Sequence, residues 1–200
     1  MNNIDRIFSK DPKKFADSYL NYLQSILNKI DTKEIARFIE TLLSARKRKA
    51  TVYFIGNGGS AATASHFAND ISIGTNDYDE PFKAISLTDN VSILTAIAND
   101  FGYEEIFVRQ LRVLGQPEDV VVGISASGNS PNLLKAFEYA KNTGIKTVAI
   151  TAFDGGKLKT MADYGIHIPT GLKEYGPAED AHMILDHLVG AYLMRVIKAS

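Results

Sequence analysis

Two hundred residues, 45% hydrophobic and 22% charged, are enough for one compact domain with a substantial core. A formal net charge of -1 excludes a general binder of nucleic acid or of membrane surfaces, which needs a surplus of Lys and Arg, so any anion site must be local. With no cysteine in the chain, disulfides and thiolate metal sites are excluded, and a metal would have to rest on His and carboxylate.

The opening MNNIDRIFSKDPKK has no apolar signal-like region, and no stretch approaches eighteen apolar residues, so a cytoplasmic location is expected. Asp11-Pro12 reads as an N-cap with Pro at the first helical position. Phe15, Tyr19, Tyr22, Leu23, Ile26 and Leu27 then fall on one apolar face. Asp31 and Glu34 open a second amphipathic helix striped by Ile35, Phe38, Ile39, Leu42 and Leu43. These leading helices, within residues 1–49, carry more apolar surface than one small sheet covers, which points to a homo-oligomer. Arg46, Lys47, Arg48 and Lys49 sit where a helix C-terminus favours positive charge, and are read as a solvated cap.

Residues 51–70, TVYFIGNGGSAATASHFAND, organise the rest. A short β-branched and aromatic run ends at Gly56, glycines allow a tight turn, and Ser60 is placed to cap a helix. The free N–H groups of such a helix start attract an anion such as phosphate. The loop is neither GxxxxGK[ST] nor GxGxxG, so no nucleotide cofactor is expected. A tight turn without a ligand is the plainer alternative. A second strand lies near 82–87, followed by Thr88-Asp89-Asn90, a short helix, a break at 99–102 and a longer helix ending at Gly115. A third strand, DVVVGIS, opens onto Ser125-Ala126-Ser127-Gly128-Asn129-Ser130, with Pro131 just inside the next helix. IKTVAIT and YGIHIP supply a fourth and a fifth strand, with a loop and short helix between them, and the final helix runs from about 177 to 198.

Alternating strands and helices imply an α/β fold: a single doubly wound domain, a five-stranded parallel sheet with helices on both faces, preceded by two N-terminal helices. Ligands in such folds bind beyond the carboxyl ends of the strands, where both glycine and serine loops lie.

Together, GNGGSAATASHFAND, the SASGNS loop, AIANDFGY between them and the late His-bearing helix resemble the sugar isomerase (SIS) domain family, in its phosphoheptose isomerase branch. The resemblance spans nearly the whole chain, as a single SIS domain with residues 1–49 as a helical extension for oligomerisation and 50–200 as the α/β core. It implies a homotetramer with sites between subunits, acting on a sugar phosphate. The family interconverts sedoheptulose 7-phosphate and D-glycero-D-manno-heptose 7-phosphate. Its serine loop, here Ser125, Ser127 and Ser130, holds the phosphate. Its glycine turn, here Asn57, Gly58, Gly59 and Ser60, holds the sugar, with Asp89 and Glu179 as further contacts. Moving a carbonyl along the chain needs a base for a carbon-bound proton and an acid for oxygen. By motif these fall on Asp70 and His187. Some members hold zinc, and the matching positions are His66, Asp70, Glu179 and His187.

His66 and Asp70 lie one helical turn apart on a shared face, which suits a metal or a substrate hydroxyl; a His capping the core beside a solvated Asp is the alternative. Glu179 and His187 are eight apart, about 12 Å of rise and about 80° of offset in a regular helix, so they meet at one ion only if Glu179 precedes the helix or comes from another subunit. Glu179, His182 and Asp186 share a face; His182, flanked by apolar residues, reads as structural, and His167 as a strand His without a special role. Three departures stand out: Asp70 where the isomerases have Glu, Glu179 where Gln is usual, and Ala126 in place of Thr. A family arginine after position 70 is missing. A different phosphosugar, a non-catalytic SIS protein of the replication-initiator-associating kind, and a phosphosugar-sensing module are the competing readings.

Overall fold

The computed structural model describes residues 2–199. Five parallel strands lie in the order β2-β1-β3-β4-β5: β1 (Thr51–Gly56), β2 (Lys83–Ser86), β3 (Val120–Ser125), β4 (Lys146–Thr151) and β5 (Tyr164–His167). The three central strands are almost wholly buried, which is why they read as continuous apolar runs and do not alternate. The order reverses between β1 and β3, so the switch point lies where Gly56 pairs with Ile124 in register.

Helices cover both faces. On one, α2 (Pro12–Leu27), α3 (Thr32–Arg48), α4 (Gly59–Ser72) and α9 (Tyr175–Lys198) close a core around Phe38, Phe54, Phe67 and Leu185, with Phe54 and Phe67 stacked at 5.1 Å. On the other, α5 (Val91–Phe101), α6 (Val108–Leu114), α7 (Pro131–Asn142) and α8 (Gly156–Met161) pack over Ile55, Phe107, Leu111 and Phe137. The single-domain α/β architecture is thus as expected from sequence.

The two leading helices are α2 and α3, capped by Asp11 and Asp31 as the sequence suggests. They are preceded by a short α1 (Asn3–Ile7), which the sequence did not signal. Buried Glu174 holds it down, accepting from the Asn3 amide at 2.6 Å, from the Gly171 amide at 2.9 Å and from the Tyr22 hydroxyl. Within the basic run, Arg46 pairs with Asp77 and Arg48 with Glu118, while Lys47 and Lys49 are exposed at the end of α3.

Two boundaries differ from expectation. α5 continues through Asn99 and stops at Gly102, and a single 3-10 turn (Tyr103–Glu105) leads to an α6 of only seven residues. α9 begins at Tyr175, so Glu179 lies inside its second turn. Ser60 is not the cap of α4: Gly58, with φ of +55°, takes that place, and Ser60 is buried in the first turn.

Candidate active site

Both loops open on the same rim of the sheet. Asn57, just after β1, and buried Asn132, in the first turn of α7, exchange amide hydrogen bonds. Asn57 Nδ2 donates to Asn132 Oδ1 at 3.0 Å, and Asn132 Nδ2 donates to Asn57 Oδ1 at 2.8 Å. The Tyr103 hydroxyl donates to the same Asn57 oxygen at 2.9 Å. Asn57, Tyr103, Ser130, Asn132 and Lys135 line a cleft of about 610 Å³ here. The serine loop is held rigid from within. The Gly128 amide donates to Ser125 Oγ at 3.0 Å, Asn129 Nδ2 to the Ser127 carbonyl at 2.9 Å, and the Lys157 amide to Asn129 Oδ1 at 3.1 Å. Ser130 sits at the N-cap of α7 without a side-chain cap bond, so its hydroxyl is not spent on the helix.

A second group lies on the outer side of the α4–α9 pair. His66 Nε2 stands 3.3 Å from His187 Nε2, 3.6 Å from Asp70 Oδ2 and 3.9 Å from Asp186 Oδ2. One ligand atom from each of these four residues fits within a span of 4.8 Å. The His66 side chain is 43% exposed, that of Asp70 19% and that of Asp186 0%, so the group grades from solvent into the core. Burial, with the Asp70 charge adding to it, pushes the Asp186 carboxyl up to about 7.

Comparison with known proteins bears on both features. The SIS domain family matches residues 14–152. A phosphoheptose isomerase of Helicobacter pylori strain P12 is 38% identical over 186 residues, 93% of this chain and 93% of that protein. The chain belongs to the SIS domain family. Within it, the phosphoheptose isomerase of Akkermansia muciniphila is 39% identical over 168 residues, 84% of this chain and 86% of that one. The solved structure of the Neisseria gonorrhoeae phosphoheptose isomerase superposes with a TM-score of 0.80 at 30% identity, covering 90% of this chain and 97% of that one.

In this SIS domain the expected acid and base positions converge: Asp70 and His187 come from α4 and α9 of one protomer and meet at His66. Glu179 is not in that group. Because it lies within α9, its carboxylate reaches Gly59 at the start of α4, where a Cβ would overlap it, about 10 Å of helical rise from His66. Desolvation, with Asp180 nearby, raises its carboxyl. Asp89 is tied to the side of α4 by the Ser65 hydroxyl, which donates to it. His182 is fully buried, and His167 shares a 3.2 Å hydrogen bond with Thr151, so both keep structural roles.

Sequence reasoning left Asp186 without a role and passed over Tyr103, Asn132 and Lys135 at the rim. The group suits a divalent cation: imidazoles and carboxylates are among zinc's usual donors, and among the described residues neither oxygen of buried Asp186 has a hydrogen-bond partner.

Proposed function

We propose that this protein is an aldose–ketose isomerase that interconverts sedoheptulose 7-phosphate and D-glycero-D-manno-heptose 7-phosphate. The observation that carries this reading is the meeting of Asp70 and His187 beside His66, from two helices of one chain. The likeness to phosphoheptose isomerases over most of the chain supports it. In this reading the phosphate rests on the serine loop, with Ser125, Ser127 and Ser130, where backbone N–H groups and the start of α7 favour an anion. Asn57, Gly58, Gly59, Ser60, Asp89 and Glu179 form the sugar-side set.

The Asp70 carboxylate takes a hydrogen from C1 of the ketose as a proton, and His187 gives a proton to the C2 oxygen, leaving the enediol. Returning the carbon proton to C2 while the C1 hydroxyl gives up its own completes the aldehyde. His66, within 3.6 Å of Asp70 and 3.3 Å of His187, keeps the two groups in register. A divalent cation such as zinc, held by His66 and by one atom each of Asp70 and His187, would polarise the sugar oxygens and stabilise the enediolate charge, with the second Asp70 oxygen and the second His187 ring nitrogen serving the proton transfers.

The same reading takes the protein as a homotetramer of the cytoplasm, where charged sugar phosphates are retained, with residues 1–49 contributing to assembly. Exposed Ile184, Leu188 and Tyr192 form an apolar row on α9 beside His187 and support a subunit contact next to the site.

The test is to incubate zinc-supplied protein with sedoheptulose 7-phosphate, and in parallel with shorter ketose phosphates, and to follow the aldose by chromatography. Turnover of the heptulose is expected, with kcat about a hundredfold lower or worse in His187→Ala and in Asp70→Asn. Turnover of only the shorter sugars rejects the substrate, and unaltered kcat in either variant rejects the assigned pair.

A further inference from the structure

Asp186 is the one member of the four-residue group that the reaction above leaves unused. It is also the one member with no exposed side-chain surface. Among the described residues, neither of its oxygens has a hydrogen-bond partner. A buried carboxyl in that condition is costly, and native proteins keep such groups where something else completes them. Its Oδ2 points at His66, 3.9 Å from Nε2, into the same small volume reached by Asp70 and His187.

We propose that Asp186 is a direct ligand of the divalent cation at this site, so that the ion is held by His66 and Asp70 from α4 and by Asp186 and His187 from α9. The assignment rests on the isomerase reading only for the ion's use in catalysis; the ligand set itself follows from the side chains. Two consequences distinguish it. First, two carboxylates neutralise a divalent ion, whereas a site with Asp70 as its sole acid would keep a positive charge. Second, each helix supplies two ligands, so the ion clamps α4 to α9 and couples metal binding to stability. The adjacent positions 186 and 187 divide the work. Asp186 closes the buried side, and a sugar oxygen would reach the ion from the outer side, between the exposed imidazoles of His66 and His187, as a fifth ligand.

The experiment uses full-length protein stripped of metal by a chelator and titrated with zinc against a chromophoric competitor, with no sugar present. Wild type is expected to take one zinc per protomer. Asp186→Asn should weaken that binding by at least tenfold, and Glu179→Gln should leave it within about twofold. Thermal melts supply a second readout. Asp186→Leu should melt no lower than wild type without metal, because it removes the unpartnered carboxyl, yet should lose the zinc-induced rise in Tm. Equal zinc affinity in wild type and Asp186→Asn overturns the assignment, as does a larger loss in Glu179→Gln, or no zinc binding by wild type. Asp186-dependent zinc binding without heptulose turnover would reject the isomerase reading and leave the ligand assignment standing.

Discussion

His182 and Asp186 stand about one turn apart on α9, both fully buried, and burial acts on them in opposite directions. Desolvation holds the His182 imidazole down at about 4, against an ordinary 6.5. It pushes the Asp186 carboxyl from 3.8 up to about 7. Between pH 6.5 and 4 the unfolded chain protonates residue 182 and the folded chain does not. The contribution of His182 is therefore intact above pH 6.5 and is lost as pH falls toward 4. Asp186 has the reverse sign in the metal-free protein: the folded chain holds a proton that the unfolded chain has released, so stability falls as pH rises from 3.8 to 7. The two slopes mask one another. In an Asp186→Asn background, urea unfolding at pH 7, 5.5 and 4 should show acid destabilisation, of which His182→Gln removes about 3 kcal/mol. An unchanged slope in the double variant would assign the effect to other groups.

At the scale of elements, helices and strands were legible wherever an apolar period or a capping residue carried the signal. The Asp11-Pro12 and Asp31 starts are of this kind, as are the all-apolar strands β1, β3 and β4. What stayed hidden depends on contacts distant in sequence. α1 is only five residues long and is tied down by Glu174, 171 positions away. The start of α9 has no capping side chain, so the two extra residues before Pro177 left no mark. Asp186 looked like any polar position on a helix, because its lack of partners is created by α4 packing on α9. The serine loop shows the other side of this dependence. Gly128, at φ +61°, lies so close to the Gly155 carbonyl that a Cβ would overlap it. Gly128→Ala is penalised both by the left-handed backbone and by contact with a backbone atom that cannot swing away. It should lower stability by about 2 kcal/mol or more, and raise KM for the sugar phosphate more than it lowers kcat. Chemical denaturation and steady-state kinetics check both parts; a stable variant with unaltered KM would mean that the loop does not hold the phosphate.

Across the whole molecule, the strand order places both loops at the switch point, whereas the His–Asp group lies part-way along the helical layer, on α4 and α9. Within one protomer the serine loop and the His–Asp group are therefore set apart, one at the rim of the sheet and the other along α4 and α9. The outer face of that helix pair carries apolar side chains that the described residues leave part-exposed: Ile184, Leu188 and Tyr192 are 39%, 46% and 50% exposed, at a spacing of four along α9. A second copy packed there would wall off the side of the site that His66 and His187 leave open, so assembly and turnover should be lost together. Leu188→Glu places a charge in that row without touching the core, so folding of the protomer should be preserved by circular dichroism. Light scattering should report a smaller species than wild type at equal concentration, and kcat/KM should drop at least tenfold. A Leu188→Glu protein of wild-type mass would show that the row is not a subunit contact. A smaller species with full activity would show that one protomer holds a complete site.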